Sequence, residues 1–234
     1  MLPPQLPLAL RLAPEADFAT YWEGPNAQPV AALRRAARGE GERLVYLHGP
    51  PGSGKSHLLQ AACRAATEAG RGALWLPLAE LADGGPAVLA GLETVPLVCL
   101  DGMEAVAGQA AWERALVALA AAAAAQGAGA TLVLAARAAP GALPVALPDL
   151  RSRLGWGLVL RLRPLDDAGR AAALRLRAAA RGFELPEETA AYLLRRCPRD
   201  PASLFALLDR LDRASLAARR RLTIPFVRGL LERA

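Results

Sequence analysis

The sequence predicts an α/β fold, a five-stranded parallel sheet covered by helices on both faces and followed by a small all-helical subdomain. Three observations carry this. Short apolar runs alternate with helical patterns as far as residue 163, one of those runs leads straight into a glycine-rich loop and a helix, and after Leu162-Arg163-Pro164 the strand pattern stops. Strands buried on both faces read as near-continuous apolar runs, and their alternation with helices gives parallel pairing through crossovers.

Residues 1–16 are proline-rich and extended in character and are expected to form a tail outside the core. Phe18, Tyr21 and Trp22 open the folded unit, and a helix is expected around 30–38. Strands are expected near 44–48, 73–77, 95–100, 131–136 and 157–162, with helices between them. From Ala115 to Ala136 no residue is charged over 22 positions, a length that could cross a bilayer. Much of it is alanine, however, and Gln126-Gly127-Ala128-Gly129 interrupts it, so it reads as helix, turn and strand. Helices then follow near 166–181, 187–196, 201–217 and 224–232, with Pro186 and Pro225 at helix starts and Gly182 just past a helix end. The expected organisation is a tail over 1–16, a base over 17–163 and a helical lid over 164–234.

With 234 residues, 53% of them apolar, the chain can bury a substantial core. A net charge of +6 permits contact with nucleic acid or an acidic protein, but the arginines are dispersed and the densest cluster, Arg219-Arg220-Arg221, is short. A solvated surface is the default reading. Cys63, Cys99 and Cys197 lack disulfide or zinc spacing and read as reduced thiols. His48 and His57 flank the glycine-rich loop without a third ligand at metal spacing, which favours structural or supporting roles. No basic segment precedes an apolar stretch at the N-terminus, and prolines at 3, 4 and 7 break it, so a cytoplasmic protein without a membrane anchor is expected.

Lys55 is the only lysine among 28 basic residues, and it stands in Gly49-Pro50-Pro51-Gly52-Ser53-Gly54-Lys55-Ser56. The spacing is that of a phosphate loop, whose successive N–H groups wrap a di- or triphosphate while a compact ammonium reaches between the β- and γ-phosphates. The apolar run Leu44-Val45-Tyr46-Leu47 before it and the helical recurrence of Leu58, Leu59, Ala62 and Cys63 after it supply the strand–loop–helix context the motif requires. A helix N-terminus adds partial positive charge, and Ser56 is placed to bind Mg²⁺. Val95-Pro96-Leu97-Val98-Cys99-Leu100-Asp101 is an apolar strand ending in a carboxylate, where a nucleotide domain orients Mg²⁺ and its waters.

On these residues the chain resembles AAA+ domains of the DnaA class, and within that class the Hda-type regulators of replication initiation. Four further segments carry the likeness: Asp17-Phe18 with Asn26; Leu147-Pro148-Asp149-Leu150-Arg151-Ser152-Arg153-Leu154; Arg199-Asp200; and Asp212-Arg213-Ala214-Ser215 with Leu222-Thr223-Ile224-Pro225-Phe226-Val227. The resemblance implies a nucleotide site for ADP or ATP with Mg²⁺, made by Asn26 against the adenine, Gly49, Pro50, Pro51, Gly52, Ser53, Gly54, Lys55, Ser56 and His57, Asp101, and Arg199 as the sensor 2 arginine. Ser56 and Asp101 would hold the metal, partly through water. It also implies Arg153 as an arginine finger acting on a neighbour. Gln5-Leu6-Pro7-Leu8-Ala9-Leu10 resembles the peptide that binds the β sliding clamp of DNA polymerase III, with Gln5, Leu6, Leu8 and Leu10 as contacts. The implied partners are DnaA, the clamp and, through the clamp, DNA, with self-association through AAA+ surfaces open. The sequence ends at Ala234, where DnaA continues into a helix-turn-helix domain, so direct origin reading is not expected.

Two departures from the family pattern bear on chemistry. Gly102 stands where active members carry a second acidic residue, with Glu104 nearby, and the strand at 131–136 ends in Ala135-Ala136 before Arg137 instead of a polar sensor 1 residue. Both predict weak hydrolysis of the chain's own nucleotide. An autonomous ATPase, a small-molecule kinase, a helicase-loader-like adaptor and a DnaA paralogue acting without the clamp remain alternative readings.

Overall fold

The computed structural model describes residues 12–125, 130–197, 201–218 and 222–231. In chain order the elements are α1 (Ala27–Arg38), β1 (Leu44–His48), α2 (Lys55–Glu68), β2 (Ala73–Pro77), α3 (Leu78–Leu81), β3 (Leu97–Asp101), α4 (Ala110–Ala125), β4 (Thr131–Ala136), α5 (Pro148–Trp156), β5 (Leu158–Arg161), α6 (Asp167–Ala180), α7 (Glu187–Arg196), α8 (Pro201–Ala218) and α9 (Ile224–Leu231). The five strands form one sheet in the order β2-β3-β4-β1-β5, and every pair is parallel.

Alternate residues of β1–β4 feed two cores. Val45 and Leu47 of β1, Cys99 of β3 and Val133 of β4 pack under α1 and α2. Tyr46, Val98, Leu100, Leu132 and Leu134 face the opposite layer of α4 and α5, with Trp112, Leu116, Leu150 and Leu154. The period of two along each strand explains why runs apolar at every position are needed. A third core, with Leu174, Ala178, Leu193, Leu208 and Val227 among its members, holds α6–α9 together as the lid. Asp166 caps α6 by accepting the Gly169 N–H at 2.7 Å.

Two sequence expectations change. The folded part begins before Asp17: Leu12 packs against the α1/α2 core, Ala16 is buried, and the Ala13 N–H donates to Gln60 Oε1 at 2.8 Å. Arg64 donates to the Ala16 carbonyl at 3.0 Å and the Ala13 carbonyl at 2.8 Å, so residues 12–16 are strapped to α2 and are not tail. Between β2 and β3 the expected helix is reduced to α3, followed by single 3₁₀ turns at Ala82–Gly84, Pro86–Leu89 and Leu92–Thr94. Gly85 and Gly91, at φ of 79° and 84°, and Pro86 break the helix there.

Candidate functional site

The glycine-rich loop leaves the C-terminal end of β1, which lies between β4 and β5. In an open α/β sheet this end of the strands is where ligands sit. The Gly49 N–H donates to the Ala136 carbonyl at 3.2 Å, tying the loop's start to the end of β4. A Cβ at Gly49 would lie 2.7 Å from the Leu162 carbonyl oxygen and 2.9 Å from Ser53 Oγ, so only glycine fits. Gly54, with φ of +91°, passes directly beneath the Tyr21 ring and leads into α2 at Lys55.

Lys55 Nζ donates to the carbonyls of Gly49 at 2.7 Å and Pro50 at 3.0 Å, so the ammonium is folded back onto its own loop. Burial holds its pKa below the ordinary value, and Arg137 acts in the same sense while Glu104 and Asp101 oppose. Ser53 Oγ is buried with no hydrogen-bond partner. Asp101 ends β3 with the Ser56 hydroxyl and the Lys55 ammonium beside it; burial raises its pKa, and those two neighbours and Trp75 pull it back. The Trp75 indole N–H nears this carboxylate without reaching hydrogen-bond geometry. A cradle closed to any Cβ, an orphaned hydroxyl, a half-buried ammonium and a hydroxyl–carboxylate pair are the donor set that fits a nucleotide phosphate and Mg²⁺. Among the described residues no group of three His, Cys, Asp or Glu side chains could hold a metal without such a ligand.

The residues expected around the base of the nucleotide do a second job. Asn26 is fully buried, donates Nδ2–H to the Arg163 carbonyl at 3.0 Å and accepts the Arg163 N–H through Oδ1 at 2.8 Å. It fastens the entry segment to the linker between base and lid. Tyr21, whose hydroxyl accepts from Asn26 at 3.3 Å and donates to the Ser53 carbonyl at 3.2 Å, has its pKa pushed up to about 12, mainly by burial. His57 points away from the phosphate end of the loop. Its Nδ1 lies 2.9 Å from Arg177 Nη2 of the lid and its Nε2 lies 2.8 Å from the Asp17 carbonyl. Arg177 can only donate, so Nδ1 accepts and the ring is neutral with its proton on Nε2. Burial is the main cause of a pKa pushed down to about 4.

Arg153 lies elsewhere. It sits on α5, its side chain 28% exposed, and its Nε donates to Asp149 Oδ1 at 3.0 Å within one helical turn. With Trp156 it lines a cavity of about 400 Å³ beside Leu44, at the start of β1. The phosphate loop leaves the other end of that strand, about 13 Å away at the usual rise per residue. Arg153 is therefore not part of this chain's own cradle. The segment entering α5 is held by Glu113 of α4, a fully buried carboxylate that accepts the N–H groups of Gly108 at 2.7 Å, Ala146 at 2.9 Å and Leu147 at 2.6 Å.

Residues 167–231 match the family model described as Hda, lid domain. This segment is similar to an Hda lid. Its whole fold is similar to domain III of the replication initiation protein DnaA from Thermotoga maritima, with 21% identity, a TM-score of 0.76, and coverage of 95% of this chain and 98% of that one. It is similar to the replication initiator DnaA bound to AMPPCP and single-stranded DNA, with 20% identity, a TM-score of 0.71, and coverage of 86% of this chain and 65% of the other. The Holliday junction branch migration motor RuvB of Thermotoga maritima follows, with 19% identity, a TM-score of 0.64, and coverage of 88% and 67%. The chain spans 65% and 61% of two of the DnaA chains it matches. At these identities the likeness is one of fold: a five-stranded parallel sheet with helices, followed by a helical lid.

The structure brings Gly49–Ser56 and Asp101 together and sets Asn26 and His57 at the seam between base and lid. Arg199, Gln5, Leu6, Leu8 and Leu10 lie outside the described residues. Sequence reasoning missed Tyr21 as the cover of Gly54, Arg177 as the lid partner of His57, and Glu113. It also missed that Glu104 is committed: its carboxylate meets Arg137 Nε at 2.9 Å and accepts the Arg137 N–H at 3.3 Å, forming an ion pair across the ends of β3 and β4. Among the described residues no helix is long and apolar enough to cross a membrane.

Proposed function

We propose that this chain is a negative regulator of replication initiation that holds adenine nucleotide in its own cradle and accelerates hydrolysis of ATP bound to DnaA. The observation that carries the reading is the position of Arg153, at the opposite end of β1 from the phosphate loop and held only by an exposed ion pair one turn away. Such a pair is worth about 0–1 kcal/mol and is readily exchanged for another anion. A guanidinium so placed can serve a neighbour's triphosphate and not its own. The Hda lid and the DnaA-like fold support DnaA as that neighbour, and AMPPCP in a DnaA structure supports an adenine nucleotide.

The chain's own nucleotide is held by the N–H groups of Gly49–Ser56 and by Lys55, which turns outward from the Gly49 and Pro50 carbonyls to meet phosphate. Mg²⁺, held by Ser56 and Asp101, partly through water, would supply charge neutralisation for the phosphates. Gly102 offers no carboxylate to orient water, which supports this nucleotide, ADP or ATP, as a structural ligand. On DnaA, Arg153 stabilises the negative charge that develops on the transferred phosphoryl oxygens, a contribution of about 10³ to 10⁵ in rate for a finger supplied in trans. Gln5, Leu6, Leu8 and Leu10 tether the cytoplasmic chain to the β sliding clamp and raise its local concentration near replicating DNA.

The test is hydrolysis of DnaA-bound ATP with clamp loaded on DNA. Arg153→Ala is expected to reduce stimulation to the unstimulated rate while nucleotide binding is retained. A Gln5→Ala/Leu6→Ala double variant should need far more protein for the same rate. Full stimulation by Arg153→Ala would remove the catalytic role.

A further inference from the structure

Trp156 is the most exposed large apolar side chain among the described residues, at 78%, and it stands three positions after Arg153 at the end of α5. Residues three apart on a helix are neighbours, with Cβ atoms about 5–6 Å apart. Arg153 and Trp156 line the same cavity of about 400 Å³, together with Leu44, Ala120 and Ala124. Ser152 and Gly155 on the same helix are exposed, and a Cβ at Gly155 would meet nothing within 4 Å, so no side chain stands between the indole and an approaching surface. An indole left this open on a rigid helix exposes large apolar area to water, and such area in a folded chain marks a contact surface.

We propose that Trp156 is the docking anchor for the same ATP-loaded AAA+ subunit that Arg153 serves, its indole sealing the rim around the inserted guanidinium. This rests on the trans reading of Arg153. The choice of occupant follows from geometry: any surface whose phosphates Arg153 reaches must come within one helical turn of Trp156 and cover it. Tryptophan is among the side chains on which binding energy concentrates in such interfaces. Arg153 then acts on the rate once docked, and Trp156 acts on the concentration at which docking occurs.

The experiment titrates the full chain against ATP-loaded DnaA with clamp on DNA and measures both hydrolysis and direct binding to immobilised ATP-loaded DnaA. Trp156→Ala should raise the half-saturating concentration at least tenfold and leave the plateau rate unchanged. Trp156→Phe should recover much of the loss. Gly155→Arg, which crowds the same surface from a position with open space around it, should also weaken binding at least tenfold. Arg153→Ala should lower the plateau and change binding by less than about threefold. Binding by Trp156→Ala within twofold of wild type, beside saturable wild-type binding, overturns the anchor and leaves the DnaA reading standing. A change confined to the self-association of the chain, seen by sedimentation, overturns it in favour of a second copy. Failure of wild type to bind ATP-loaded DnaA at all overturns both.

Discussion

Replacing Glu113 by alanine tests how α5, and with it Arg153, is held. The carboxylate is fully buried and accepts three backbone N–H groups, from Gly108, Ala146 and Leu147, at 2.6–2.9 Å. A hydrogen bond to a charged group contributes about 1.5–3 kcal/mol net, but the three donors share one acceptor group and water can enter the space that alanine leaves, so the expected loss is about 4 kcal/mol. In a chain of this length that lowers Tm by roughly 8–16 °C, measurable by far-ultraviolet circular dichroism. The pH dependence has a defined sign. The three N–H donors, with help from Arg151, outweigh burial and hold the carboxyl below its ordinary value. Its contribution is therefore present above the unfolded pKa and is lost as pH falls through the folded one. Glu113→Gln should be destabilised at pH 7 and should lack that acid component. A loss below about 1 kcal/mol for Glu113→Ala, or an unchanged acid profile for Glu113→Gln, would refute the account.

Gly54→Ala combines a left-handed backbone at φ +91° with a Cβ 2.5 Å from the Tyr21 ring and should cost about 2–3 kcal/mol and at least tenfold in nucleotide affinity. Gly70→Ala, with φ +74° and open space, serves as the control and should cost about 1 kcal/mol with unchanged nucleotide affinity, read by titration with a fluorescent adenine nucleotide. His57, with its folded pKa pushed down from 6.5 to about 4, contributes stability that is present above 6.5 and is lost as pH falls toward 4. By linkage the loss amounts to about 2 kcal/mol at pH 5, and denaturant midpoints for His57→Gln should lack it.

The sheet and the cradle were legible because their signals are local. Apolar runs of five or six residues give the strands, and one eight-residue segment gives the glycine-rich loop after β1, with Asp101 at the end of an apolar run beside it. The seam was not legible, because its partners are distant in the chain: Asn26 pairs with Arg163 across 137 positions and His57 with Arg177 across 120. Glu113 stands between Trp112 and Arg114 with nothing local to say that it is buried, and two of its three donors are 33 and 34 residues away. Residues 12–16 look like an extension of the proline-rich start, and only Gln60 and Arg64 on the far side of the loop reveal that they pack.

The strap of residues 12–16 onto α2 decides where mechanical load enters the molecule. A pull on the chain ahead of Leu12 reaches Ala13 and Ala16 first and passes through Gln60 and Arg64 into the helix that begins at Lys55. The linker fastened by Asn26 lies further along the chain. A protein leashed by its front end would therefore load α2, and through His57 its contact with Arg177 of the lid, before the segment that Asn26 ties to Arg163.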